Sequence, residues 1–167
     1  MKRPPRPLRA GLCLLGLALA WAMPAAAQTP PAQPAHAATA CPALDEDPAR
    51  LHGLWQLTLW LPDGSEAAPV STGALLFERH PDYPGSVRGN LKRSTEGHDV
   101  LALVAGDVSD GVFNLDESAD GVAMDAVWTG TPQDCGQAIS GIRRPAEGRA
   151  PGVPVLQFSL HKAPGGR

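Results

Sequence analysis

Gly53-Leu54-Trp55-Gln56-Leu57-Thr58-Leu59-Trp60-Leu61, residues 53–61, is the stretch that decides the fold. Trp55, Leu57, Leu59 and Leu61 fall on one face and Leu54, Gln56, Thr58 and Trp60 on the other, the two-residue period of a half-buried strand. Pro62-Asp63-Gly64 supplies the turn chemistry that ends it. The same period returns along the chain. Residues 71–79 bring Leu75 and Phe77 to one face, and 80–85 (HPDYPG) make a long hairpin loop. Residues 86–93 put Val87, Gly89 and Leu91 inward and Arg88, Asn90 and Lys92 outward. Residues 99–105 (DVLALVA) are nearly all apolar, which predicts a strand covered on both faces. Residues 111–117 offer Phe113 and Leu115. Asp120-Gly121 signals a tight turn, and 121–130 follow with Met124, Ala126 and Trp128 on one face. Residues 135–144 carry Ile139 and Gly141, and 153–162 close with Leu156, Phe158 and Leu160 inward. The single helical expectation is one turn over 44–51, with acids at its start as the helix dipole prefers.

Eight short strands joined by short loops predict an all-β fold. The first choice is an antiparallel eight-stranded up-and-down barrel, which removes exposed sheet edges. The alternative is a two-sheet β-sandwich. An eight-stranded barrel is just wide enough for side chains or for one small ligand.

Upstream of the strands, residues 1–9 carry Lys2, Arg3, Arg6 and Arg9 with no acid, 10–23 are apolar, and Pro24 precedes Ala25-Ala26-Ala27. That pattern predicts a signal peptide over 1–27, cut after Ala27; the alternative is an uncleaved anchor, for which the run is short. Residues 28–40 form a Pro/Ala-rich linker without charge or apolar period. Residues 41–162 hold the barrel domain and 163–167 a tail. The protein is expected to be periplasmic or secreted. Cleavage takes four of the 14 basic residues and none of the 17 acidic ones, leaving a formal charge of −7. Such acidity argues against nucleic acid and against an anionic membrane surface.

Of three cysteines, Cys13 leaves with the signal peptide. Cys41 and Cys135 remain as an even pair in an oxidising compartment, the ordinary setting of a disulfide. Closing so long a loop stabilises by about 4–5 kcal/mol in the chain-entropy model. Lipidation of Cys41 is the alternative, but Cys41 lies far past the apolar segment.

Leu51-His52-Gly53-Leu54-Trp55 carries a Gly-x-Trp on the first strand after a short turn of helix, and it resembles the calycin barrels, the lipocalins and avidins. The resemblance implies that Trp55 plugs one end of the barrel. The family's partner arginine on the last strand has no direct match; Lys162 stands near that end, with Arg143 or Arg144 as substitutes on the preceding strand. The combination of signal peptide, N-terminal segment, Gly-x-Trp barrel and disulfide is also similar to the bacterial metalloprotease-inhibitor barrels. That second resemblance implies an N-terminal segment entering a protease.

No catalytic motif is visible: the serines lack the nucleophile elbow, and no glycine-rich phosphate loop opens a helix. The scattered histidines give no zinc ligand set. Asp116 to Gly121 matches half of a calcium loop, but Val127 stands where a bidentate acid is needed. No enzyme activity, cofactor or metal is therefore expected. Trp60, Tyr83 and Arg88 are the candidate ligand or partner contacts. Trp60 stands out on a mostly polar face, Tyr83 sits in the longest hairpin loop, and Arg88 heads a basic strip with Lys92 and Arg93. Trp55 and Trp128 are expected to be structural. These features suggest an exported binding module that holds a small apolar ligand or docks another exported protein. The alternatives are a periplasmic protease inhibitor and an envelope protein without ligand.

Overall fold

A computed structural model of the chain describes residue 44 and residues 47–149 and 152–165. The barrel lies in the compact unit Thr39–Arg167. The predicted signal peptide, linker and Cys41 lie outside the described residues.

A 3-10 turn, Pro48–Leu51, leads into eight strands: β1 (Gly53–Trp60), β2 (Ser71–Arg79), β3 (Ser86–Thr95), β4 (His98–Ser109), β5 (Val112–Ser118), β6 (Ala126–Gln133), β7 (Ala138–Pro145) and β8 (Leu156–Lys162). Each pairs antiparallel with the next, and β8 pairs with β1, so the sheet closes into an up-and-down barrel. Closure excludes the sandwich. It also explains why the sequence is alternation almost throughout: every strand has one inward and one outward face.

The inward rows make the core. Trp55, Leu57 and Leu59 of β1 stand opposite Lys162, Leu160 and Phe158 of β8. A file of aromatic rings runs through the interior: Trp55 to Phe77 at 6.4 Å, Phe77 to Phe113 at 6.2 Å, Phe113 to Phe158 at 6.4 Å, and Phe158 to Trp128 at 5.0 Å between centroids. All five are essentially inaccessible to solvent. Tilted and edge-to-face rings at this spacing pack favourably beyond their area burial. They fill the barrel as an eight-stranded interior permits.

Trp55 occupies one end, beneath the 3-10 turn. Its indole N–H donates to the Leu51 carbonyl at 2.8 Å. Lys162 lies over its ring, Nζ 5.5 Å from the centroid, and also donates to the Arg50 carbonyl. Where strands crowd at the barrel wall, glycine is required. A Cβ on Gly89 of β3 would stand 2.0 Å from the Leu76 carbonyl oxygen of β2, and one on Gly106 of β4 would stand 2.0 Å from that of Asn114 on β5.

Four expectations are corrected. β4 is covered on its inner face only: Leu101 and Leu103 are 65% and 50% exposed, because a closed barrel has one interior and no second layer of the described residues lies over β4. β6 begins at Ala126 rather than 121, and Met124 is exposed in the preceding loop. There the Asp120 carboxylate captures the Val122 and Ala123 N–H groups at 2.8 Å, which holds 120–123 in a local turn instead of a ladder. β7 starts at Ala138, after a 3-10 turn over Asp134–Gly136. Among the described residues of 44–51, a 3-10 turn spans Pro48–Leu51 and Asp47 lies outside it, with Pro supplying the fixed φ of its start.

Candidate functional site

The end opposite Trp55 carries the β1–β2, β3–β4, β5–β6 and β7–β8 connections, and its interior is not apolar. The inward row of β5 runs Phe113, Leu115, Glu117. That of β3 runs Val87, Gly89, Leu91, Arg93, and that of β7 runs Ile139, Gly141, Arg143. Each row changes from apolar to charged as it nears this end. The register then brings the groups together: Trp128 of β6 stands opposite Leu115 on one side and Arg143 on the other.

Glu117 is 2% exposed and is the centre of the cluster. Arg143 donates to it through Nε at 2.8 Å and Nη2 at 3.0 Å, a bidentate fork. The Trp128 indole N–H donates to the same Oε2 at 2.9 Å. The Arg143 guanidinium also lies 5.8 Å from the centroid of the Trp128 ring. Glu117 is thus neutralised by one arginine and oriented by one indole.

Arg93 is the second guanidinium, and it is not served in the same way. Its Nη1 donates to Thr95 Oγ1 at 2.7 Å, and Thr95 in turn donates to Ser71 Oγ at 3.0 Å. Its Nη2 stops 3.9 Å from Glu117 Oε1, beyond hydrogen-bond distance. Its Nε is buried and has no hydrogen-bond partner among the described residues. Burial lowers the Arg93 pKa; Glu117 pulls it back up, and Arg143 lowers it further. An arginine starts so high that it stays a cation throughout the physiological range.

A cup of about 360 Å3 opens above this cluster. Arg93, Glu117 and Arg143 contribute to its lining, while Val100, Ala102 and Val153 make part of an aliphatic wall. At its rim Arg149 and Asp125 pair with each other at 2.7 Å.

The candidate contacts chosen from sequence are not brought together. Trp60 is half-buried on the outer wall and lines a groove of about 460 Å3 with Glu66, Gln133 and His161. Arg88 points outward from β3 and lines a different outer groove, of about 450 Å3, with Glu78 and Asp116. Tyr83 is 65% exposed in the β2–β3 loop, at the Trp55 end, with its ring 4.8 Å from His80. Trp55 and Trp128 are both fully buried. The basic strip is corrected at Arg93, which faces the interior in phase with Val87, Gly89 and Leu91. Lys92, one residue away, faces solvent and pairs with Asp99 at 2.9 Å.

Glu117, Arg143 and Arg93 were missed as a cluster, although alternation carries the signal. Glu117 follows Phe113 and Leu115 at the same two-residue step, so a charge in phase with an inward row marks a buried ionic group. Compared with known proteins, the chain matches no family model, and no curated protein is significantly similar to it in sequence.

Proposed function

We propose that the chain is an exported binding barrel of the calycin type that takes a small ligand in the cup at its charged end. The observation that carries this is the cup itself, aliphatic-walled above a polar floor, the usual composition of a small-molecule site. The file of aromatic rings fills the barrel beneath it. A long lipid therefore has no room in the interior, and a ligand with a short apolar part fits better. The calycin assignment is supported by the arrangement at the other end: Trp55 under a 3-10 turn, with a cation from the last strand over its ring. Lys162 takes the place that the family gives to arginine.

Native mass spectrometry of protein purified from its own host tests the function. A co-purifying small molecule is the expected result, and a chain that always emerges without one counts against it.

A second reading, docking of another exported protein, is favoured by the outer wall. Leu54, Leu76, Leu101 and Leu103 are 41%, 41%, 65% and 50% exposed, an apolar surface on β1, β2 and β4. Stoichiometric co-purification of a protein, lost on replacing Leu101 and Leu103 by Ser, is its signature. If that partner is a protease, deletion of residues 28–40 abolishes inhibition, whereas ligand uptake at the cup survives.

We also propose the bridge between Cys41 and Cys135. Leu44 is buried against Gly136, so closely that a Cβ there would stand 2.8 Å from Leu44 Cδ2. Cys41 is three residues before Leu44, a reach of at most about 10 Å, and Cys135 adjoins Gly136.

A further inference from the structure

We propose that the ligand of the cup is a short aliphatic monocarboxylate, whose carboxylate is held by the Nε–Nη2 edge of Arg93. The proposal rests on the small-ligand reading above and adds the chemistry of the ligand's head group.

The argument is one of charge and edges. The cup is bounded by three guanidiniums, Arg93, Arg143 and Arg149, and two carboxylates, Glu117 and Asp125. Arg149 and Asp125 satisfy each other at the rim, and Arg143 and Glu117 satisfy each other in the floor. One positive charge, on Arg93, is left over. A buried charge is costly when it is only partly paired: Glu117 attracts Arg93 from 3.9 Å but is already forked to Arg143, which repels Arg93.

The geometry of the two arginines makes the comparison direct. A guanidinium presents Nε and Nη2 along one edge, the fork that matches a carboxylate. Arg143 uses that edge on Glu117. Arg93 presents the same edge with Nε unpartnered among the described residues and Nη2 at 3.9 Å from Glu117 Oε1. Its other nitrogen, Nη1, is fixed by Thr95, and Thr95 by Ser71, so the guanidinium is anchored on that side, and a carboxylate reaches the buried Nε by displacing the groups that cover it. A second carboxylate on Arg93 makes the cluster two pairs instead of a pair and a surplus cation. The ligand's tail then faces Val100, Ala102 and Val153, and the filled barrel below limits its length. Glu117 sets the selection rule: its own charge is already satisfied, so it offers a cationic head no gain, while Arg93 and Arg143 repel one.

The test uses a matched six-carbon series, hexanoate, 1-hexanol and hexylamine, on the whole exported protein, with binding followed at the indole N–H resonance of Trp128. That group donates to Glu117, which lines the cup. Hexanoate is expected to bind about tenfold or more tightly than hexanol, as a hydrogen bond to a charged group implies, with hexylamine weakest. Arg93→Met is expected to remove the preference for hexanoate, and Arg93→Lys, which keeps the charge, to retain part of it. Hexanol binding as tightly as hexanoate overturns the carboxylate assignment while leaving the small-ligand reading intact. Silence of the Trp128 resonance to all three overturns both. Preference unchanged in Arg93→Met overturns the role of Arg93. These wild-type comparisons decide the matter even if Arg93→Met fails to fold.

Discussion

Lys162 stands directly opposite Trp55 across the β1–β8 seam, with its Nζ 5.5 Å from the centre of the indole ring. The last strand thereby clamps the first at the end where the chain enters the barrel. Trp55 is fully buried and its N–H is satisfied by Leu51, so nothing can fill its place without loss. Trp55→Ala is expected to cost about 3–5 kcal/mol. Trp60, five residues on and facing outward, is half-buried, and Trp60→Ala is expected to cost less than about 1.5 kcal/mol. Urea unfolding of both variants checks the difference; equal losses contradict it.

At the other end, Arg143 and Glu117 are coupled too tightly to be judged singly. Arg143→Met leaves a buried carboxylate with the Trp128 N–H as its hydrogen-bond donor and Arg93 as a counter-charge 3.9 Å away, so the loss is expected to stay below the about 3–5 kcal/mol of a fully stranded charge. Replacing both, as Arg143→Met with Glu117→Leu, is expected to recover only part of that loss, because the Glu117 charge goes with its partner but Arg93 loses the carboxylate 3.9 Å from its Nη2. A double-mutant cycle by urea denaturation measures the recovery. Additive losses mean that the pair is not a unit.

The strand count and the core were legible because alternation is a local property: Trp55, Leu57 and Leu59 announce their face without reference to any other strand, whereas closure through β1 and β8 separates a barrel from a sandwich of the same alternation only in the structure. Partnership is not local. Glu117, Arg143 and Arg93 lie on three different strands, and nothing in the sequence near any one of them names the other two. The phase of each is visible in the sequence, since each continues an inward row, but grouping Arg93 with Arg88 and Lys92 as a basic strip hides it. Trp60 shows the converse. Its residue type singles it out, yet two of the groups that share its groove, Gln133 and His161, come from distant strands. The outer leucines of β4 escape a sequence reading because a continuous apolar run has the same appearance whether a second layer exists or not.

Gly89 is where barrel closure depends on the absence of a side chain. A Cβ there meets the Leu76 carbonyl oxygen at 2.0 Å, so β2 and β3 must separate. Gly89→Ala is expected to destabilise by about 1–3 kcal/mol, a cost typical of overpacking. The midpoint of urea unfolding is the measurement; an unchanged midpoint means that the wall absorbs the methyl group.

The proposed bridge has a chemical readout. Protein collected from an oxidising compartment is expected to take up no thiol reagent at Cys41 or Cys135 until it is reduced. Reduction is expected to lower its thermal midpoint by removing the constraint on the unfolded chain. Intact-mass analysis after alkylation, with and without reductant, decides it. Two labels without reductant, or a lipid on Cys41, end the proposal.

Asp120 is expected to make the β5–β6 loop sensitive to acid. Its Oδ1 accepts from the Val122 and Ala123 N–H groups at 2.8 Å and from Ser118 Oγ at 3.2 Å. The two backbone donors are the main reason its pKa falls below the ordinary 3.8. A carboxyl whose folded pKa is lowered stabilises the fold fully above its unfolded pKa, and that contribution disappears as pH drops through the lowered folded value. Wild type is therefore expected to lose stability over the interval just below pH 3.8. Asp120→Asn keeps an acceptor oxygen but has no charge to titrate, and its stability over the same interval is expected to fall less steeply. The Val122 and Ala123 amide resonances of wild type should titrate together with a midpoint below 3.8. A midpoint at or above that value means that the two N–H bonds do not favour the ionised carboxylate, and a turn held by Asp120 is then not what keeps β6 from starting before Ala126.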